Sequence, residues 1–336
     1  MVPVVTASVL DSVRQHLPGS EVILSTWKGS DCTGLAPDVI AENDDPGPIP
    51  TPGKTNNVNR QIVSTRRGLA LATRRYAMKL RSDTPLVGSQ ALEWYSRSLV
   101  CPRPKEPRVF RERILTCRHF TRNPERSPWL FHPSDIFMLG LHEDLNRLWN
   151  VRLVTGDRAL HAASGTGSTQ LAWKPRTQMV CAAIWGCDES QQAPEQYLWL
   201  ACLRRFAGLA ARKSLIRIPS PSNLWLSERS LLANFYTAET DDLGIRLPPR
   251  IAVGEFGFKV SRPSTCYSNE EWERLSALYS ENPRPFSRGL PTLLRQVRAM
   301  LRDEHIHRVW AHMLFHRDGA LRRRVRSLFR QAEQAK

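Results

Sequence analysis

Val58, Ile62, Thr65, Leu69 and Ala72 recur at steps of three and four residues, the stripe of an amphipathic helix. Asn56 or Asn57 can cap it, because a short amide accepts bonds from the orphan N–H groups of a first turn. Arg66, Arg67, Arg74 and Arg75 fall off the stripe and are expected to face water, and Gly68 suggests a close approach to another backbone. Tyr76 to Leu80 then reads as a short, mostly buried strand. Upstream, Val9, Leu10, Val13 and Leu17 form one side of a helix over Thr6–Leu17, ended by Pro18-Gly19 and followed by an apolar strand over Glu21–Trp27. Val39–Glu42 reads as another short strand. Asp45–Gly53, rich in proline and glycine, reads as a loop.

Downstream the pattern predicts a helix over Ser89–Leu99, a proline-punctuated linker over Cys101–Pro107, and one or two strands within Val109–Phe120. Phe131–Gly140 is a turn leading into a strand, and His142–Trp149 a short helix. Thr155–Thr169 is a Gly/Ser/Thr-rich loop whose Ser164–Ser168 run lacks the GxxxxGK[ST] spacing of a phosphate loop. A strand near Met179–Ile184 precedes a strong helix over Ala193–Ala211, with Pro194 and Glu195 in its first turn. Ser222–Phe235 reads as helix and Leu247–Val260 as a glycine-broken strand region. Ser268 and Glu271 make a capping-box pattern for a helix through Tyr279, and Pro291–Phe315 is amphipathic. The order of elements predicts an α/β domain over residues 1–215 and a mainly helical, basic region over 216–336. The chain opens on a helix–strand unit with no strand before it, so it reads as beginning one element late.

Composition adds little beyond charge. The 336 residues are 41% hydrophobic and 24% charged, ordinary for a globular chain. No stretch approaches the roughly 20 apolar residues of a spanning helix. No signal-peptide pattern appears, which points to the cytoplasm. Seven cysteines, none in a CxxC pair, read as reduced thiols. The net charge of +16 suggests an anionic partner: nucleic acid, an acidic membrane surface or a phosphorylated substrate. Codon bias toward arginine would leave the same composition.

The candidate chemistry gathers at strand ends. In open α/β sheets ligands bind beyond the carboxyl ends of strands, and Asp83 lies just past one. A carboxylate there can hold a hard cation, and the cation a diphosphate. Asn57, Asn59 and Arg60, at the start of the preceding helix, are candidate donors to a bound anion. The plainer alternative is a surface aspartate closing a strand beside a solvated arginine face. Helix start, strand and carboxylate in this order favour the functional reading.

Four blocks then carry a resemblance. Ser12–Asp31, Asn56–Asp83, Phe131-His132-Pro133-Ser134-Asp135 and Pro194-Glu195-Gln196-Tyr197-Leu198-Trp199, in this order, resemble the WavE lipopolysaccharide-synthesis family of bacterial glycosyltransferase-like proteins. The layout is also similar to the nucleotide-sugar half of GT-A glycosyltransferases. The likeness runs to about Leu200 and is weaker beyond. It implies a Rossmann-like GT-A domain that binds a sugar nucleotide and passes the sugar to a lipopolysaccharide core or O-antigen acceptor. On that reading Asp83 is the last position of the metal-binding Asp-x-Asp motif, with Mn²⁺ or Mg²⁺ as the ion. The triplet here is Arg81-Ser82-Asp83, so the first acid is missing. That leaves Arg81 as a second means of neutralising the diphosphate, with Asp83 on the ribose or a weaker ion. The family's opening strand is absent from Met1-Val2-Pro3.

Glycosyl transfer needs a base for the acceptor hydroxyl and positive charge at the leaving diphosphate. By resemblance Glu195 matches the acid of the GT-A catalytic loop and Asp135 sits in the acceptor-side block. Glu195 is the favoured base; the plainer alternative is a partner for the helix dipole. His132 is a turn residue or a phosphate or acceptor ligand. His305, His307, His312 and His316 lack the glutamate of HExxH and read as exposed helix positions. Asp188 and Glu189 read as loop acids, and Trp27 and Trp199 as core more than sugar platforms. The arginines of the tail, Arg322 to Arg330, are a solvated face or a weak anchor to an anionic inner leaflet. Two other functions compete: a catalytically silent member of a polysaccharide-assembly complex, and a basic nucleic-acid-binding protein, which no recognisable nucleic-acid module supports.

Overall fold

The computed structural model describes residues 3–51, 54–125, 130–154, 193–208, 221–252, 266–289, 291, 292 and 294. The glycine-rich loop at 155–169, the strand at 179–184, Asp188 and Glu189, the four C-terminal histidines and the arginine tail all lie outside them.

Helix α1 (Pro3–His16) leads into strand β1 (Ile23–Trp27), which pairs in parallel with β2 (Val39–Asn43). Helix α2 (Val58–Leu71) packs on both strands and buries Val58, Ile62 and Leu69, three positions of the expected stripe. Its first turn is closed by Asn56, whose Oδ1 accepts from the Val58 N–H at 2.9 Å; Asn57 occupies the cap position without a side-chain cap bond. Gly68 faces β1, where an added Cβ would stand 3.6 Å from Ser25 Cβ. That is an ordinary contact, so the glycine is not demanded by crowding. The expected loop before α2 contains an antiparallel hairpin, β3 (Ile49–Thr51) and β4 (Lys54–Asn56); its prolines and glycines hid the pairing.

The second sheet has the order β5 (Tyr76–Lys79), β7 (Met138–Leu141), β6 (Ile114–Cys117), β8 (Phe235–Ala238). β7 runs antiparallel to β5 and β6, whereas β6 and β8 are parallel. Three of these strands are buried along their whole length. β5 is not: it pairs only with β7, and Tyr76 is 42% exposed. The expectation of a mostly buried strand fails because β5 is an edge strand without the cover that buries β8 at the other edge.

Side chains alternate across a strand, and β8 shows what covers each face. Phe235 packs at 4.9 Å on Trp199 of α5 (Pro194–Phe206), with Phe110 closing the aromatic cluster. Tyr236 turns the other way, toward Trp94 of α3 (Ala91–Val100) and Glu273 of α8 (Asn269–Glu281). The sheet is thus the middle layer of an α/β sandwich. Trp199 is a core residue with its N–H on Ser230 Oγ at 3.2 Å. Helix α4 (His142–Trp149) bridges α2, α5 and the β5–β7 edge, and α6 (Pro221–Asn234) delivers the chain directly into β8.

Because β8 completes this sheet, the sheet crosses the 1–215/216–336 division expected from the sequence. The expected strand region at 247–260 begins instead as a short helix, α7 (Pro249–Ala252), with residues 253–265 outside the description. The capping box at Ser268 and Glu271 is present in full. Buried Glu228 of α6 joins the C-terminal elements: it accepts from Tyr279 at 2.6 Å, from Tyr267 at 3.2 Å and from both Nε and Nη2 of Arg288. No helix among the described residues is long and apolar enough to cross a membrane.

Candidate active site

The register of the second sheet builds a rim. β5 and β6 both run antiparallel to β7, and β8 runs with β6, so the carboxyl ends of β5, β6 and β8 meet the start of β7. Lys79 pairs with Met138, and Asp135 lies three residues ahead of it. The carboxyl ends of parallel strands are where α/β sheets bind ligands.

The chain between β6 and β7 is pinned to this rim. Thr121 Oγ1 donates to the Cys117 carbonyl at 3.0 Å and accepts from the Ser134 N–H at 3.1 Å. Thr116 Oγ1 is 2.9 Å from the Ser134 carbonyl. Phe120 and Phe131 both adopt positive φ, at 70° and 55°, a conformation costly for a bulky residue and concentrated at functional sites. Between them they aim His132. Its Nδ1 lies 2.9 Å from the Phe120 carbonyl; a carbonyl only accepts, so Nδ1 carries the proton and Nε2 the lone pair. Nε2 faces Glu195 Oε2 at 3.8 Å. Gln196, next along α5, donates to the Leu130 carbonyl at 2.8 Å and ties the helix start to the same loop.

Burial decides the charges here. It pushes the Glu195 carboxyl up to about 8, and the negative charge of Asp135 adds to the push against Arg122 and Lys79. Burial, reinforced by Arg122, pushes His132 down to about 3. A neutral imidazole facing a protonated carboxyl at 3.8 Å is a polar contact and not an ion pair, despite the pairing of residue types. Burial also lowers Lys79, with Asp135 the main opposing influence. Its ammonium donates to the Asp135 main-chain carbonyl and lies 5.4 Å from the centre of the Trp149 ring. Asp135 is 4% exposed, and its Oδ2 is buried without a hydrogen-bond partner. Buried polar atoms are nearly always satisfied. An open acceptor in this position fits a ligand hydroxyl.

The structure therefore brings together Glu195 and Asp135, and with them His132, Lys79 and Arg122. Arg81 also acts on Lys79 electrostatically, which places the Arg81–Asp83 pair beside the same rim. Arg81 grips both Asp83 oxygens, Nε on Oδ1 at 2.9 Å and Nη2 on Oδ2 at 3.2 Å. The other predicted residues are engaged elsewhere. Arg60 Nε donates to Asp45 at 2.8 Å and its Nη1 to Asn57 Oδ1 at 3.3 Å. Asn59 is 8% exposed, and its amide bonds the Val154 main chain in both directions. Sequence reasoning missed Lys79 and Arg122. A lysine inside an otherwise apolar strand was the available sign of the first; the second had none.

A family model for WavE lipopolysaccharide synthesis matches residues 1–302. The chain belongs to the WavE family. No curated protein and no solved structure matches it. The residue blocks of the rim, 131–135 and 194–199, lie inside the matched span, so membership covers the site and not only the surrounding fold.

Proposed function

We propose that this WavE-family chain is a glycosyltransferase of lipopolysaccharide biosynthesis, with a GT-A-like layout, moving a sugar from a nucleotide sugar to a saccharide acceptor at the β5–β7 rim. The observation that carries this reading is the open Oδ2 of buried Asp135 beside a protonated acid and an ammonium. Asp135 Oδ2 accepts the proton of the acceptor hydroxyl as that oxygen bonds to the anomeric carbon. The bond from that carbon to the diphosphate oxygen breaks, and its electron pair leaves with the nucleoside diphosphate. Glu195, protonated near pH 7, is a hydrogen-bond donor to the reacting sugar and not the base, which reverses the roles favoured from sequence. Burial raises the Glu195 carboxyl, and the neighbouring Asp135 adds to the push. His132, locked by the Phe120 carbonyl, positions Glu195.

Asn57 and Arg60 at the start of α2 are proposed to lie toward the nucleotide, while Asn59 shapes that region through Val154. The basic C-terminal residues are proposed to hold the protein against anionic lipid on the cytoplasmic face of the inner membrane, where a lipid-linked acceptor is found. Equal sedimentation with neutral and anionic vesicles would remove that anchor. The central test is a thermal-shift screen of nucleotide sugars followed by product detection with the stabilising one. Stabilisation by one nucleotide with sugar transfer that Asp135→Asn abolishes supports the reading. Stabilisation without transfer points to a silent assembly protein, and no stabilisation by any nucleotide ends it.

A further inference from the structure

Mg²⁺ and Mn²⁺ sites are built from several open oxygen ligands. Asp83 has both oxygens on the Arg81 guanidinium. Burial pushes the Glu195 carboxyl up to about 8, and among the described residues Asp135 Oδ2 is a buried acid oxygen of the rim without a hydrogen-bond partner. Among the described residues no three His, Cys, Asp or Glu side chains are grouped to take a metal ion. The donor set does not fit the ion that the Asp83 resemblance implied.

What the rim does offer is positive charge. Lys79 has three donors, of which the Asp135 carbonyl takes one. Arg81 has five, of which Asp83 takes two through Nε and Nη2. The two cations are near enough for Arg81 to disfavour the charged form of Lys79, a repulsion that an anion placed between them would relieve. Buried Arg122 adds a third positive charge acting on Glu195. A forked guanidinium and an ammonium together match the oxygens of a diphosphate.

We infer that this site takes the diphosphate of its donor on Lys79 and Arg81 and works without a divalent cation. The inference rests on the sugar-nucleotide reading above and specifies how that ligand is held. In it, Asp83 is a positioning residue that orients Arg81, and it competes with the ligand for the guanidinium.

The test is calorimetric titration of the full chain with inorganic pyrophosphate and with uridine, cytidine, guanosine and thymidine diphosphates, first in EDTA and then with Mn²⁺ or Mg²⁺. Binding in EDTA should match binding with metal. Lys79→Met should weaken it about tenfold or more, the loss expected of a charged hydrogen bond, while Lys79→Arg retains it. Asp83→Asn separates the two models by sign: freeing Arg81 should tighten binding in EDTA, whereas loss of a metal ligand would weaken it. Thermal melts of each variant identify any that fail to fold, and Asp83→Asn, a near-isosteric change at a partly exposed position, still reads the sign if Lys79→Met unfolds. Binding that appears only with a divalent ion and falls in Asp83→Asn overturns the inference and leaves the transferase reading standing. No binding of any probe in either condition, by a protein that melts cooperatively, overturns both.

Discussion

Asn59 and Val154 exchange two hydrogen bonds: the Asn59 amide donates to the Val154 carbonyl at 2.9 Å, and its Oδ1 accepts the Val154 N–H at 2.8 Å. A side chain in the first turn of α2 thus replaces a strand partner for the chain leaving α4. Asn59→Ala would leave two buried main-chain groups unsatisfied, each worth about 1–3 kcal/mol. Urea denaturation should show a loss of about 2–6 kcal/mol, with Asn59→Asp intermediate because only its acceptor half survives. A loss under half a kcal/mol would mean water takes over both bonds.

Glu228 and Arg288 make a second testable joint. Glu228 is fully buried and receives Arg288, Tyr267 and Tyr279. Arg288→Met removes the counter-charge and leaves the carboxylate uncompensated, which typically costs about 3–5 kcal/mol. The double variant Arg288→Met, Glu228→Leu should recover part of that loss. A double variant no better than Arg288→Met alone would show that packing and not charge dominates.

Glu195 and His132 should bend stability in opposite directions with pH. The folded chain holds the Glu195 proton more tightly, its carboxyl rising from 4.5 to about 8 through burial and Asp135, against Arg122 and Lys79. Stability from this group is full below 4.5 and is lost as pH rises to about 8. His132 falls from 6.5 to about 3 through burial and Arg122, so its contribution is full above 6.5 and is lost as pH drops toward 3. Between about 4.5 and 6.5 the slopes oppose, giving a flat top. A pH series of melts should show Glu195→Gln without the alkaline decline and His132→Asn without the acidic one. An unchanged alkaline limb in Glu195→Gln would assign it to other groups.

Asp135→Asn keeps the shape of the rim and removes the proton acceptor. General-base loss typically lowers turnover about 10²–10⁴-fold, so kcat should fall in that range with KM little changed. Equal loss in KM would mark Asp135 as a binding residue only.

Local pattern carried most of the helices. The stripe of α2, the His142–Trp149 span and the Ser268–Glu271 capping box all depend on residues within one or two turns of each other, and the sequence shows them. β8 is missed from sequence, with only Phe235 falling in the predicted Ser222–Phe235 helix, because Phe235-Tyr236-Thr237-Ala238 is short and its partner β6 lies far back in the chain. Nothing local distinguishes such a strand. The same holds for the site. Asp135 and Glu195 stand out in their blocks, and the fold brings them near enough for Asp135 to act on the Glu195 carboxyl. The ligand roles given to Asn59 and Asp83 could not be weighed from sequence, because one is spent on Val154 and the other on Arg81, contacts set by tertiary packing.

The parallel pairing of Ile114 with Phe235 also constrains the order of assembly. Contacts so distant in sequence form late, after the loop between them has closed. On a ribosome, β5, β7 and α5 all emerge before β8 can cover β6. Until then the loop that aims His132 lacks Ser227, which holds the Phe131 N–H at 2.7 Å, and Tyr267, whose N–H meets the Thr121 carbonyl at 3.4 Å. A nascent chain therefore carries Asp135 and Glu195 before the loop between β6 and β7 is fully pinned, and premature release would leave the hydrophobic edge of β6 uncovered.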